Sequence, residues 1–267
     1  MGSVLKLGNS GRGIVALQNA LAAAGFSPGA IDGSFGLGTE AAVLGFQRSE
    51  GLVPDGSVGP NTAAALGLSA IPSVPSPIPS ITVEIVFQMF PVTPIGNISA
   101  QLPVVLGSLV STNLSDKLMV LMALSTIRAE TESFEPINEG MSRFNTSPSG
   151  SPFDLYDNRK DLGNIGPPDG ANFRGRGFVQ LTGRANYTRY GRELGQDLIG
   201  SPTLANDPSI AAELLARFLK DRENSIREAL ADADLAAARR LVNGGKNGLD
   251  RFQNAFEVGN RLIPEQA

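Results

Sequence analysis

The sequence predicts a mainly α-helical protein in two parts, a small three-helix module and a larger helical domain joined by a proline-rich linker. Three observations carry that prediction. Apolar residues recur at helical rather than alternating spacing over most of the chain. Residues 71–80, IPSVPSPIPS, place four prolines in ten positions, and an eight-residue pattern occurs twice upstream of them. Proline-rich stretches favour extended geometry and act as semi-rigid spacers. The expected boundaries are therefore 1–70 for the module, 71–80 for the linker and 81–267 for the larger domain.

In the module, Ile14, Leu17 and Leu21 recur at helical spacing and predict an amphipathic helix over 12–24. DGSFGLGT at 32–39 then recurs as DGSVGPNT at 55–62, each time before an alanine-rich stretch. Asp and Gly make a tight turn and a second Gly relieves the backbone. Thr39 or Thr62 is then placed to cap the next helix through its hydroxyl.

Downstream, Ile98, Leu102, Val105, Leu106 and Leu109 share one helical face. Ser115 is a candidate N-cap for a helix over 115–133, whose apolar body reads LMVLMAL. Asp207-Pro208 reads as a cap followed by proline at the first helical position, opening a helix to about 221. Asp234 to Val242 forms another helix with Gly244 as terminator, and a last one covers 248–262.

Composition removes whole classes of chemistry. A hydrophobic fraction of 42% and a charged fraction of 18% are ordinary for a globular protein. The net charge of −4 argues against a nucleic-acid partner, and equally against holding an acidic polymer by bulk charge. Recognition falls to local hydrogen bonds and shape. With no cysteine there is no disulfide and no thiolate metal site; with no histidine there is no imidazole base and no histidine-bound metal. Proton chemistry is left mainly to carboxylates, with Tyr or Lys as outside options. No cofactor and no metal are implied, because only an oxygen-ligand ion such as calcium would fit and no EF-hand-like loop is present. The N-terminal MGSVLKLGNSGRG has no apolar core of secretory length, and no apolar run reaches the ~20 residues of a membrane span. The expectation is a monomer without membrane insertion, made in the cytoplasm without a visible leader.

The segment RAETESFEPINEG at 128–140 concentrates carboxylates: Glu130, Glu132, Glu135 and Glu139. Cleavage of a glycosidic bond commonly uses two, one protonated to assist the leaving oxygen and one ionised opposite it. Glu130 follows the apolar body of its helix, so partial burial would raise its pKa, as suits a general acid. Continuous helix would carry Glu139 about 13.5 Å further along the axis. Pro136 forbids that continuation, so the chain can turn back and bring Glu139 across a cleft. The spacing permits this pair, with Glu132 and Glu135 as rivals for the second carboxylate.

Two resemblances sharpen the reading. Residues 4–68, with their repeated DGxxGxxT, resemble the small peptidoglycan-binding domain of wall hydrolases, which implies bacterial peptidoglycan as partner. RGRGFVQLTGRANYTRYG at 174–191, with YDNRKDLGN at 156–164, RLVNGGKNG at 240–248 and the glutamate segment, resembles glycoside hydrolase family 19, which includes chitinases and phage endolysins. That resemblance spans about residues 85–262 and implies a lysozyme-like α-helical catalytic domain. It implies a wall glycosidase with an inverting mechanism, acting in the periplasm or cell wall. Glu130 matches the general acid, Glu139 the base, and Thr182 a hydroxyl that helps to hold the attacking water. Gln180 and Asn243 match amides that contact sugar. Arg174 and Arg176 are placed to shape the cleft, tune Glu130 or form structural ion pairs. In a chain without tryptophan, Tyr156, Tyr187, Tyr190 or the Phe residues are the candidates for sugar contact, with Phe134, Phe144 and Phe178 at least as suited to the core. Many family members have His immediately before the catalytic Glu, where this chain has Ala129. The alternatives within reach are a chitinase, a lytic transglycosylase using one carboxylate, and a wall-binding protein without catalysis.

Overall fold

A computed structural model describes residues 4–68, 76–243 and 248–264. The first part contributes α1 (Arg12–Ala23), α2 (Leu37–Ser49) and α3 (Pro60–Ala65). The second begins with α4 (Val83–Met89), α5 (Ile95–Ser111) and α6 (Lys117–Glu130). A short antiparallel ladder of β1 (Ile137–Asn138) and β2 (Arg176–Gly177) brackets α7 (Asp169–Asn172). It is followed by α8 (Arg184–Leu194), α9 (Pro208–Lys220), α10 (Glu223–Ala231), α11 (Leu235–Asn243) and α12 (Leu249–Leu262). No helix among the described residues is long and apolar enough to cross a membrane.

The apolar residues form two separate cores. The smaller gathers Leu5, Leu7, Ile14, Leu17, Leu21, Phe35, Val43, Phe46 and Val58. Its internal repeat is a hydrogen-bonding device rather than a pair of helix caps. The buried Gln18 amide donates to Asp32 Oδ1, the Ser34 carbonyl and Thr39 Oγ1, and its oxygen accepts from Gly33 N–H. Gln47 repeats the set with Asp55, Ser57, Thr62 and Gly56. The helices after each repeat start from Gly36 and Gly59 with no side-chain cap. Thr39 and Thr62 therefore act differently from expectation: their hydroxyls satisfy a buried amide, whose isolation would cost more than an uncapped, solvated helix end.

In the larger core α6 is the central element. Met119 through Leu124 and Ile127 are fully buried, so this helix is apolar nearly all round, as a helix packed on every side must be. Asp116, not Ser115, is its N-cap, accepting from Met119 N–H. The helix ends at Glu130, three residues before the expected 133 and well before Pro136. The cause is tertiary. Phe134 is buried between Phe90 at 4.8 Å and Phe178 at 6.3 Å, with Glu132 and Phe134 at positive φ. Thr93 and Asn97 donate to the carbonyls of Glu132 and Ser133. The helices opening at Pro208 and Leu249 follow the sequence expectation, and Asp207 caps the former through Ser209 and Ile210 N–H.

Of the expected linker, residues 71–75 lie outside the described residues, as does Gly244. Ser76 and Ile78 are packed rather than free: Ser76 donates to the Ser115 carbonyl at 2.9 Å, and Ile78 rests on the larger core. The module itself is seated on the second part through buried charge. Arg227 on α10 donates to Asp116 Oδ2 at 2.5 Å, to Glu223 Oε1 at 2.9 Å and to the Leu7 carbonyl at 2.8 Å. Lys6 of the module pairs with Glu223 and donates to the Asn113 carbonyl.

Candidate active site

Glu130 stands at the C-terminal end of α6, where the helix leaves the core, with its side chain 17% exposed. Burial raises its pKa, and the nearby cations Arg239 and Arg251 offset that rise only in part. Arg239 reaches it from α11, Nη2 to Oε1 at 2.9 Å. Desolvation thus outweighs the ion pair, and the carboxyl holds its proton to higher pH than an ordinary glutamate.

Glu130, Gln180, Thr182, Asn186 and Asn243 line one cleft of about 310 Å³, floored by Leu162, Leu181, Phe218 and Val242. The GRGFVQLTG motif builds one wall. Arg176 and Leu181 exchange both backbone hydrogen bonds, closing a four-residue loop over 177–180. Gly177 is required there: its φ is +76° and a Cβ would lie 2.6 Å from the Ala205 carbonyl oxygen. Gln180, at φ +51°, donates both amide protons, to the Ile137 and Gly177 carbonyls, which leaves Oε1 as its acceptor. Thr182 commits its proton to the Gln180 carbonyl and keeps its lone pairs.

Glu139 enters by the β ladder. Ile137 pairs with Gly177 and Asn138 with Arg176, so the next residue meets Gly175. Its N–H donates to the Gly175 carbonyl at 2.8 Å, and its Oε2 accepts from Gly175 N–H at 3.0 Å. Oε1 accepts from Tyr156 OH and Asn145 Nδ2, both at 2.9 Å. Gly175 permits this approach, since a Cβ there would sit 2.9 Å from Gln180 Oε1 and 3.2 Å from Glu139 Oε2. Glu139 and Gln180 therefore meet at Gly175, next to the cleft, and Glu139 is not among the residues that line it. The rivals are elsewhere: Glu132 is exposed and paired with Arg251, and Glu135 is exposed.

Several expectations need correction. Tyr187 is fully buried, donating to the Arg174 carbonyl and accepting from Arg176, so it cannot touch a sugar. Arg176 is 3% exposed and spends its guanidinium on Asn138, the Asn172 carbonyl and Tyr187; it supports the loop and does not reach substrate. Neither it nor Arg174 tunes Glu130; Arg239 and Arg251 do. Arg174 lies instead over the Phe153 ring. Tyr156 is half-buried with its hydroxyl on Glu139, and burial together with that carboxylate pushes its pKa up to about 12. It stays a phenol and holds Glu139. At the family's histidine position, Ala129 faces Gly248, whose Cβ would lie 3.3 Å from that of Ala129. The close backbone approach takes the space that an imidazole would need.

Two contributors escaped sequence reasoning. Arg239 carried a signal: it shares the buried face of α11 with Ala238 and Val242, a cation on an apolar stripe. Asn145 carried none, because its contact with Glu139 exists only once the loop after β1 folds back. Among the described residues no group of three or more His, Cys, Asp or Glu could hold a metal ion.

Fold and site together define a mainly α domain that carries a glutamate-bearing cleft, preceded by a small three-helix module, and the comparisons say what each part is similar to. Residues 10–66 match the family described as "Putative peptidoglycan binding domain". A glycosyl hydrolase family 19 domain-containing protein of Haemophilus influenzae is 32% identical over 97 residues, which is 36% of this chain and 45% of that protein. The acidic 27 kDa endochitinase of Solanum lycopersicum is 46% identical over 43 residues, 16% of this chain and 17% of that one. The chain thus spans less than half the length of these relatives. Chitinase C from Streptomyces griseus HUT6037 superposes with a TM-score of 0.47 at 21% identity, over 74% of this chain and 82% of that chain.

Proposed function

We propose that this protein is a glycosidase of the bacterial cell wall, cleaving β-1,4 bonds between its amino sugars while the N-terminal module holds the polymer. One observation carries the reading: a cleft that gathers a buried, proton-retaining Glu130 with Gln180, Thr182 and Asn243, and has Glu139 fixed next to it at Gly175. Glu130 protonates the leaving oxygen. Glu139 accepts a proton from water, which the Thr182 hydroxyl receives as a hydrogen bond, and that water attacks the anomeric carbon from the opposite face. Gln180 Oε1 accepts from a sugar hydroxyl or acetamide N–H. The module raises the local concentration of the polymer it binds, which favours peptidoglycan over chitin. The domain division 1–70, 71–80 and 81–267 belongs to this reading; two separate cores support a division, with Ile78 of the expected linker packed on the larger one.

The test is turbidity loss of purified sacculi by wild type and by Glu130→Gln at equal bound protein, with anomeric analysis of the products. Clearing by wild type alone, with inverted anomers, is expected. Equal clearing by both proteins, or by neither, sinks the proposal. Anhydro-sugar ends with activity surviving Glu139→Gln would replace hydrolysis by one-carboxylate transglycosylation. The local match to an endochitinase favours chitin as a second substrate, read out on chitin oligomers.

A further inference from the structure

Helix α8 separates two hollows. Thr182, just ahead of it, and Asn186 border the cleft. Its other side walls a second hollow of about 380 Å³, lined by residues that include Gly163, Arg184, Thr188, Arg189, Arg192 and Glu193. The two share a turn, since Leu162 borders the first and Gly163 the second. Three guanidinium groups line this hollow, and two of them are matched by carboxylates. Two of them are anchored. Arg184 grips Asp169 through Nε at 2.7 Å and Nη2 at 2.5 Å, and Arg189 pairs with Glu193 at 2.9 Å and Asp221 at 2.8 Å. Arg192 is exposed, and its guanidinium has no partner among the described residues.

We infer that this hollow is a carboxylate subsite, in which Arg192 reads the acidic groups of the peptides that hang from a glycan strand lying in the cleft. The inference rests on the glycosidase reading above. A helix with its side chains is about 10 Å across, and an extended peptide covers about 3.3–3.6 Å per residue. Half the circumference of that cylinder is about 16 Å, so a stem of about five residues reaches round α8 from one hollow to the other. The guanidinium fork matches a carboxylate with two parallel hydrogen bonds. Chitin carries only uncharged acetamides and hydroxyls and offers that fork nothing. The ion pairs of Arg184 and Arg189 fix the walls of the hollow, and the charge of Arg192 is left for a ligand.

The experiment compares sacculi with native carboxyls against sacculi whose carboxyls have been amidated, following initial release of reducing ends over substrate concentration at low and high salt. For wild type, KM on native walls should be about two- to fivefold lower than on amidated walls, the size of one exposed ion pair. The gap should close at high salt. Arg192→Gln should abolish it and Arg192→Lys keep part, with kcat moving less than KM because the contact is remote from the cut bond. Equal KM on the two preparations for wild type, or a gap that survives Arg192→Gln, overturns the inference and leaves the glycosidase reading standing. No reducing ends from either preparation with wild type removes both.

Discussion

Replacing Arg227 by Met should uncouple the module from the larger domain. The guanidinium is 1% exposed and holds Asp116, Glu223 and the Leu7 carbonyl at once, joining α6, α10 and the N-terminal segment. Removing one partner of a buried ion pair costs about 3–5 kcal/mol, because the remaining charge loses its compensation without regaining water. Lys6 still pairs with Glu223, but Asp116 loses both guanidinium bonds. For a chain of this size the loss corresponds to a fall in Tm on the order of 10 °C. Calorimetry should show one cooperative transition for wild type, and for Arg227→Met a lower first transition separated from the second. Two transitions in wild type, or an unchanged Tm in the variant, would refute the reasoning. The network also sets an acid limit. Burial alone would raise the Glu223 carboxyl, but Arg227, Lys6 and Lys220 pull it from its ordinary 4.5 to about 2. Its folded pKa is depressed, so its contribution is complete above 4.5 and disappears as pH falls from 4.5 to about 2. That contribution is on the order of 3 kcal/mol, and it should vanish from the acid unfolding curve of Glu223→Gln.

Other outcomes follow from the site. Arg239→Met removes the cation nearest Glu130, so the carboxyl should hold its proton to still higher pH and the alkaline limb of the activity profile should move upward; a downward move contradicts the assignment. Tyr156→Phe deletes one of three donors to Glu139 and should lower kcat about tenfold with little change in KM, read from initial rates. Gln47→Leu strands the Asp55, Ser57, Thr62 and Gly56 polar groups and should destabilise the module by about 2–4 kcal/mol, visible as faster hydrogen exchange in α2 and α3. Gly177→Ala should disorder the 177–180 loop and abolish wall clearing while the far helices α1 and α2 keep their exchange protection.

By itself the sequence determined the helical character, the presence of two parts and which segments border the cleft. These are written in local terms: apolar spacing along α5 and α6, the Asp207-Pro208 start, the repeated DGxxGxxT and the absence of His and Cys. It also singled out Glu130, Gln180, Thr182 and Asn243, whose convergence on one cleft required the fold. Only the tertiary structure decided how those residues are used. Where α6 ends depends on Phe134 finding Phe90 and Phe178, because side-chain packing outweighed the weak local preference of residues 131–133 for helix. Which carboxylate accompanies Glu130 depends on a two-residue ladder between segments almost forty positions apart, too short to leave a period in the sequence. Tyr187 and Tyr156 look alike on paper; one is walled into the core and the other holds Glu139, since burial is set by neighbours that the chain brings together only on folding.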